Sequence, residues 1–137
     1  MKNAKFLLTA MTVVMFSTSA FAQLTPKGAG SDKDEHGCKG SAGYSFSVLK
    51  NDCVRLFEEK VQLKDTDTKK SYKSNAVVIF SQDDNQAELF LPAAHGSLIL
   101  EKEATKKAVI YKKGQYTLTK VKKSYVLKLA NKIVFKS

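Results

Sequence analysis

The feature that most constrains this chain is the crowding of short apolar runs in its second half. "NAVVIFS", "AELFLP", "SLILEK", "AVIYK", "YTLTKV", "YVLKL" and "KIVF" follow one another between residues 75 and 135. Valine, isoleucine, threonine and aromatic side chains dominate them, the types that pack well on a pleated surface. The intervals are short and carry turn signals such as "QDDNQ", Gly96 and "KKG". Parallel neighbours need a crossover of a dozen residues or more, so these runs have room only for antiparallel pairing.

Two more runs lie upstream. "YSFSVL" alternates, with Tyr44, Phe46 and Val48 on one side, and after "KND" comes "CVRLF", with Cys53, Arg55 and Phe57 on one face. A β-hairpin is the expected reading. The stretch "FSVLKNDCVRLFEEKVQL" also fits a 3.6-residue period, which keeps a helix as the rival. The expected fold class is all-β: a small antiparallel barrel or sandwich of about eight strands.

One register can be argued in detail. In "YVLKLANKIVF", a two-residue loop at Ala130 and Asn131 sets Leu129 opposite Lys132 and mixes Lys128 with Ile133 and Phe135. A three-residue loop sets Leu129 opposite Ile133 and Leu127 opposite Phe135. The second register makes one apolar face from Tyr125, Leu127, Leu129, Ile133 and Phe135, and a one-residue slip would invert it. The three-residue loop is therefore expected.

The N-terminus sets the compartment. Lys2 and Lys5 precede the apolar run "FLLTAMTVVMF", and "STSAFA" ends in Ala20-Phe21-Ala22. This is the order of a signal peptide, with cleavage expected after Ala22 and a periplasmic or secreted product. The run is shorter than the ~20 residues a spanning helix needs. No cysteine stands at the cleavage point to carry a lipid, and no transmembrane segment is expected in the mature chain. "QLTPKGAGSDK", residues 23–33, reads as a flexible leader, and residues 34–137 as a single β-rich domain. Export implies an oxidising compartment. Cys38 and Cys53 are the only cysteines. One bridge between them is expected, stapling an N-terminal hairpin and closing a loop worth roughly 3 kcal/mol in the chain-entropy treatment.

Charge is uneven along the chain. The formal net charge is +10, and residues 97–137 hold eleven lysines against two acidic residues. Such an excess attracts polyanions and acidic surfaces; its plainer reading is protection of sheet edges. Lys106, Lys107, Lys112, Lys113, Lys120, Lys122 and Lys123 are the candidate anion-binding residues. If "AVIYK" and "YTLTKV" pair through "KKGQ", Lys112 and Lys113 gather at one end. Lys106, Lys107, Lys122 and Lys123 then gather at the other. Two such clusters suit an extended anionic envelope polymer better than a single-phosphate pocket. No nucleic-acid partner is expected, and nothing in the sequence assigns an oligomeric state.

The densest cluster of chemistry is "DEHGCKGSAGYSF", residues 34–46. A hydrolase elbow needs G-x-S-x-G, and here Gly40 directly precedes Ser41. A Cys38 nucleophile needs a free thiol. His36, Cys38, Cys53 and His95 have none of the usual zinc spacings. Asp34 and Glu35 are adjacent rather than opposed across a substrate, and Asp83 and Asp84 fall in a turn. No P-loop or dinucleotide fingerprint is present. The structural reading covers the same residues. Gly37, Gly40 and Gly43 allow a tight turn, Cys38 anchors it, and His36 is a hydrogen-bonded turn residue. Tyr44 opens the hairpin, and Arg55 pairs with Glu58 or with an acid of the leader. No cofactor, metal or catalytic residue is expected.

Residues 34–58, "DEHGCKGSAGYSFSVLKNDCVRLFE", resemble a segment of small exported bacterial proteins of unknown function. Those share roughly H-G-C-x-x-S-A-G-Y-x-[WF]-S followed by D-C-[IV]-R-L-F-E. The resemblance extends loosely over "VVIFSQDDNQAELFLP" and implies export and a shared fold, without an activity. Relatives of that type carry a further cysteine where this chain has Ser47. The exported β-rich plan is also similar to that of periplasmic inhibitors of C-type lysozyme, which are eight-stranded barrels. Their Ser-Gly-x-x-Tyr loop is missing from the C-terminal half here, where "AVIYKKGQY" supplies only tyrosines and a glycine. The expected function is a non-enzymatic exported domain that binds an anionic envelope polymer or a protein partner. The alternative is an inhibitor of a secreted or host hydrolase.

Overall fold

A computed structural model describes residues 32–137; the expected signal peptide, residues 1–22, and residues 23–31 of the expected leader lie outside the described residues. The described residues hold ten strands: β1 (Tyr44–Ser47), β2 (Asp52–Arg55), β3 (Val61–Asp65), β4 (Asn75–Phe80), β5 (Gln86–Phe90), β6 (Ser97–Ala104), β7 (Val109–Lys113), β8 (Tyr116–Val121), β9 (Ser124–Leu129) and β10 (Lys132–Lys136). Strands β3 to β10 form a closed eight-stranded antiparallel barrel, with β10 pairing back onto β3. Strands β1 and β2 form a separate hairpin. No helix among the described residues is long and apolar enough to cross a membrane.

The period of two explains the interior. Leu63, Ala76, Val78, Ala87, Leu89, Leu100, Tyr111, Leu118, Leu127 and Phe135 come from all eight barrel strands and form one buried cluster. At the end holding the β4–β5, β6–β7 and β8–β9 turns, aromatic rings close the barrel. Phe80 stands 5.3 Å from Tyr111 and 5.2 Å from Tyr125, ring centre to ring centre. The Tyr111 hydroxyl donates to the Asp84 carbonyl at 3.0 Å, which ties the plug to the β4–β5 turn.

The hairpin expectation holds and the helical rival falls. Between residues 44 and 63 the only helical piece is the 3-10 turn Leu56–Glu58. Strand β3, "VQLKD", was not among the runs read as strands, because its apolar residues are only Val61 and Leu63. Val48 and Phe57 fall just outside β1 and β2 and are 57% and 68% exposed.

The β9–β10 register corrects the sequence reading in part. The loop is the two-residue one: Lys132 faces Leu129 and Ile133 faces Lys128. A bulge between Ile133 and Phe135 then restores the pairing of Phe135 with Leu127. Ala130 and Asn131 both take positive φ, 47° and 68°, the backbone that matches a two-residue hairpin to strand twist. The turn and the core each get their preferred geometry, and the extra residue is absorbed by the bulge. Ile133 is left 45% exposed.

Candidate functional site

The motif region folds into a cap. Cys38 and Cys53 are disulfide-bonded with a Cα–Cα distance of 5.5 Å. Asp34 Oδ1 accepts the N–H groups of His36 at 2.9 Å and Cys38 at 2.8 Å, so its carboxylate acts as a turn-former. Asp32 Oδ2 accepts the Ser41 N–H at 2.7 Å. Ser41, through its side chain and then its backbone, holds the Asp32 carboxyl below the usual carboxylate range. Lys33 bridges Lys39, so two residues assigned to the leader belong to the folded domain.

The three glycines divide. Gly37 and Gly43 have positive φ, whereas Gly40 starts the 3-10 turn Gly40–Ala42. A Cβ on Gly43 would stand 2.9 Å from Phe57 Cε1, so a side chain here would be strained by the positive φ and would have to displace the exposed Phe57 ring. His36 stacks its ring on Phe46 with centres 3.9 Å apart, and its turn hydrogen bond runs from the backbone rather than the ring. Arg55 lies over the Tyr44 ring at 4.7 Å and donates to Glu58 at 3.0 Å. Of the two partners the sequence offered for Arg55, Glu58 is the one taken.

The cap lies on the outer face of β4 and β5. Val54 and Leu56 pack against Val77, Ile79 and Phe90. Beneath the hairpin's turn sits Glu88, fully buried. Its neighbours across the sheet are Ile79 and Ile99. Burying a carboxylate is costly unless donors replace water, and here four do. Val48 N–H donates to Oε1 at 2.8 Å, and Leu49 N–H to Oε2 at 3.2 Å. The Ser47 hydroxyl donates at 2.6 Å and the Ser97 hydroxyl closes the set. Sequence reasoning missed this centre. "QAELF" reads as a strand with one polar outward residue, and its partners lie about forty residues away in Ser47, Val48 and Leu49.

Between the cap and the β5–β6 loop opens a cleft of about 690 Å³ that brings His36 and His95 into one lining with Asp32, Asp34 and Glu35 over Phe46 and Phe90. Asp32 and Asp34 are engaged with backbone N–H groups, and the stapled Cys38 offers no thiol. Among the described residues, no three of His, Cys, Asp and Glu are grouped as a metal would need.

The lysines are sorted by the meander. Lys106 and Lys107 lie in the β6–β7 loop, and Lys122 and Lys123 form the β8–β9 turn. Antiparallel topology puts both at the plugged end of the barrel, separated by roughly two strand spacings of about 4.8 Å. Lys120 stands there too, its amine 5.9 Å from the centre of the Tyr125 ring. Lys112 and Lys113 lie near the opposite end, and Lys112 pairs with Glu103 at 2.8 Å.

These features define a class: a closed eight-stranded antiparallel barrel bearing a disulfide-stapled hairpin on its outer face. Compared with protein-family models, with curated proteins and with solved structures, the chain matches none.

Proposed function

We propose that this is an exported binding domain that holds an anionic envelope polymer at the plugged end of its barrel. One observation carries the reading. Lys106, Lys107, Lys122 and Lys123 sit on two turns and Lys120 on the adjoining end of β8, all at the plugged end, and among the described residues none is ion-paired. Edge protection explains them poorly, because a closed barrel has no edge strand to guard. Export rests on the N-terminal segment and is supported by the oxidised Cys38–Cys53 pair. The turns are short and exposed, so contacts would be dispersed, weak individually and sensitive to salt.

The test is retention on immobilised heparin at low and high salt, for the parent and for Lys122→Glu/Lys123→Glu. The parent is expected to bind at low salt and to elute as the Debye length falls from about 10 Å at 0.1 M toward about 3 Å at 1 M. The double variant should elute earlier. Retention indifferent to both salt and charge reversal would overturn the proposal. The alternative, inhibition of a hydrolase, draws on the eight-stranded barrel plan alone, and a fold does not carry an activity. It expects instead one enzyme held in high salt and losing activity on binding.

A further inference from the structure

The barrel's other end is built differently. It opens into a depression of about 300 Å³ lined by Tyr72, Leu91, Pro92, Tyr116, Leu129 and Phe135, with Lys70 at its rim. That volume is at the small end of the roughly 300–1,000 Å³ typical of ligand sites. Leu118 and Leu127, one layer deeper on β8 and β9, are fully buried. The depression is therefore a shallow seat over a filled interior, not a channel.

Its rim carries a pattern that register makes visible. Lys113 faces Tyr116, Tyr116 faces Leu129, and Leu129 faces Lys132. Directly opposed residues share a face, so a row runs across β7 to β10 in the order lysine, tyrosine, leucine, lysine. Tyr116 and Leu129 are partly buried in the mouth, and the two lysines are exposed on either side. Neither lysine is ion-paired among the described residues, whereas Lys70 is held by Asp65 at 2.6 Å. Lysine stems are long and flexible, so both ammonium groups can lean over a ligand seated between them.

We infer that this mouth binds an amphiphile: a short apolar tail seated on Tyr116, Leu129 and Phe135, with an anionic head held between Lys113 and Lys132. Apolar lining alone would accept any grease. The flanking cations favour a negative head by charge complementarity. The site is independent of the lysine turns at the plugged end.

The experiment is a titration of the protein with octyl phosphate below its micelle concentration, followed by backbone amide chemical shifts. Octyl glucoside and inorganic phosphate serve as the uncharged and tail-less controls. Saturable shifts at Tyr116, Leu129 and Lys132 are expected, with each control at least tenfold weaker. Ala93→Glu adds a carboxylate at an exposed lining position and should weaken octyl phosphate binding at least tenfold without disturbing the core. Lys122→Glu/Lys123→Glu should leave it unchanged. The inference is overturned by octyl glucoside binding as well as octyl phosphate, or by shifts confined to other regions. Full binding by Ala93→Glu, or loss of binding in the Lys122/Lys123 variant, would overturn it as well.

Discussion

Strands β4 and β5 and strands β8 and β9 are both plain antiparallel hairpins of one barrel, yet they are buried differently. In β4, Ala76 to Ile79 are buried without a break, and in β5 so are Ala87 to Phe90. In β8 and β9 only Leu118 and Leu127 are fully buried, one residue per strand. The cap makes the difference by covering the outer face of the first pair. Two kinds of cohesion follow. The bare side is held by one apolar face and ladder hydrogen bonds. The covered side adds a disulfide and a buried carboxylate that reaches across to another hairpin. The cover is fastened at a few points, so it can be removed while the barrel remains.

The largest effect should come from the shared interior. Leu118→Ala empties a fully buried site in the cluster shared by all eight barrel strands and should cost about 3–5 kcal/mol, with the barrel strands unfolding together in urea. Separate transitions would contradict a single shared core.

Cys38→Ser/Cys53→Ser should cost roughly 3 kcal/mol by loop closure, but unequally. Amide exchange should accelerate across residues 38–58 and leave β7 to β9 nearly unchanged. Equal acceleration everywhere would mean that the cap and barrel are one cooperative unit.

Glu88→Gln tests the polar fastening of the cap to the barrel. An amide cannot accept from both the Val48 and Leu49 N–H groups while keeping both serine donors, so about 2 kcal/mol should be lost. The uncovered Val77, Ile79 and Phe90 should then bind an apolar dye. A stable variant that binds no dye would show that apolar contact alone seats the cap.

Ala130→Gly acts on the bare side. Ala130 holds φ 47° in the β9–β10 turn, a conformation that costs a Cβ-bearing residue about 1–2 kcal/mol. Glycine's larger loss of freedom on folding takes back part of that gain. A net rise of about 0.5–1 kcal/mol in urea stability is expected; a loss would show that the alanine side chain contributes contacts.

The smallest effect concerns Asp83, which does in the barrel's β4–β5 turn what Asp34 does in the cap. Ser81, with Asn85 second, lowers its carboxyl pKa to about 2. The unfolded value is near 3.9, so the folded state binds fewer protons between these pH values. Its contribution is present above about pH 4 and fades as the pH falls toward 2. Urea midpoints measured from pH 5 to pH 2 should fall less steeply in Asp83→Asn than in the parent.

What the sequence determined by itself is what neighbours along the chain decide. Alternation of polar and apolar residues made the strands, and short intervals made them antiparallel. Two cysteines made one staple, and the acids and glycines of residues 34–46 made a turn. Those preferences act within a few residues, so they can be read one segment at a time. Strand β3 escaped because its two apolar residues are too weak a local signal, and the barrel's closure supplies the rest. The β9–β10 bulge escaped because turn and core preferences disagree by one residue, and only their joint minimum settles it. Glu88 is the clearest case. Locally it is an ordinary outward residue on an alternating strand. Only the docking of a hairpin from about forty positions upstream takes it out of water and gives it three of its four donors, the fourth being Ser97 on the neighbouring strand β6. The rim row Lys113, Tyr116, Leu129 and Lys132 likewise exists only in the register of four strands. Desolvation and cross-strand charge placement depend on which surfaces meet, and that is a property of the closed barrel and its cap.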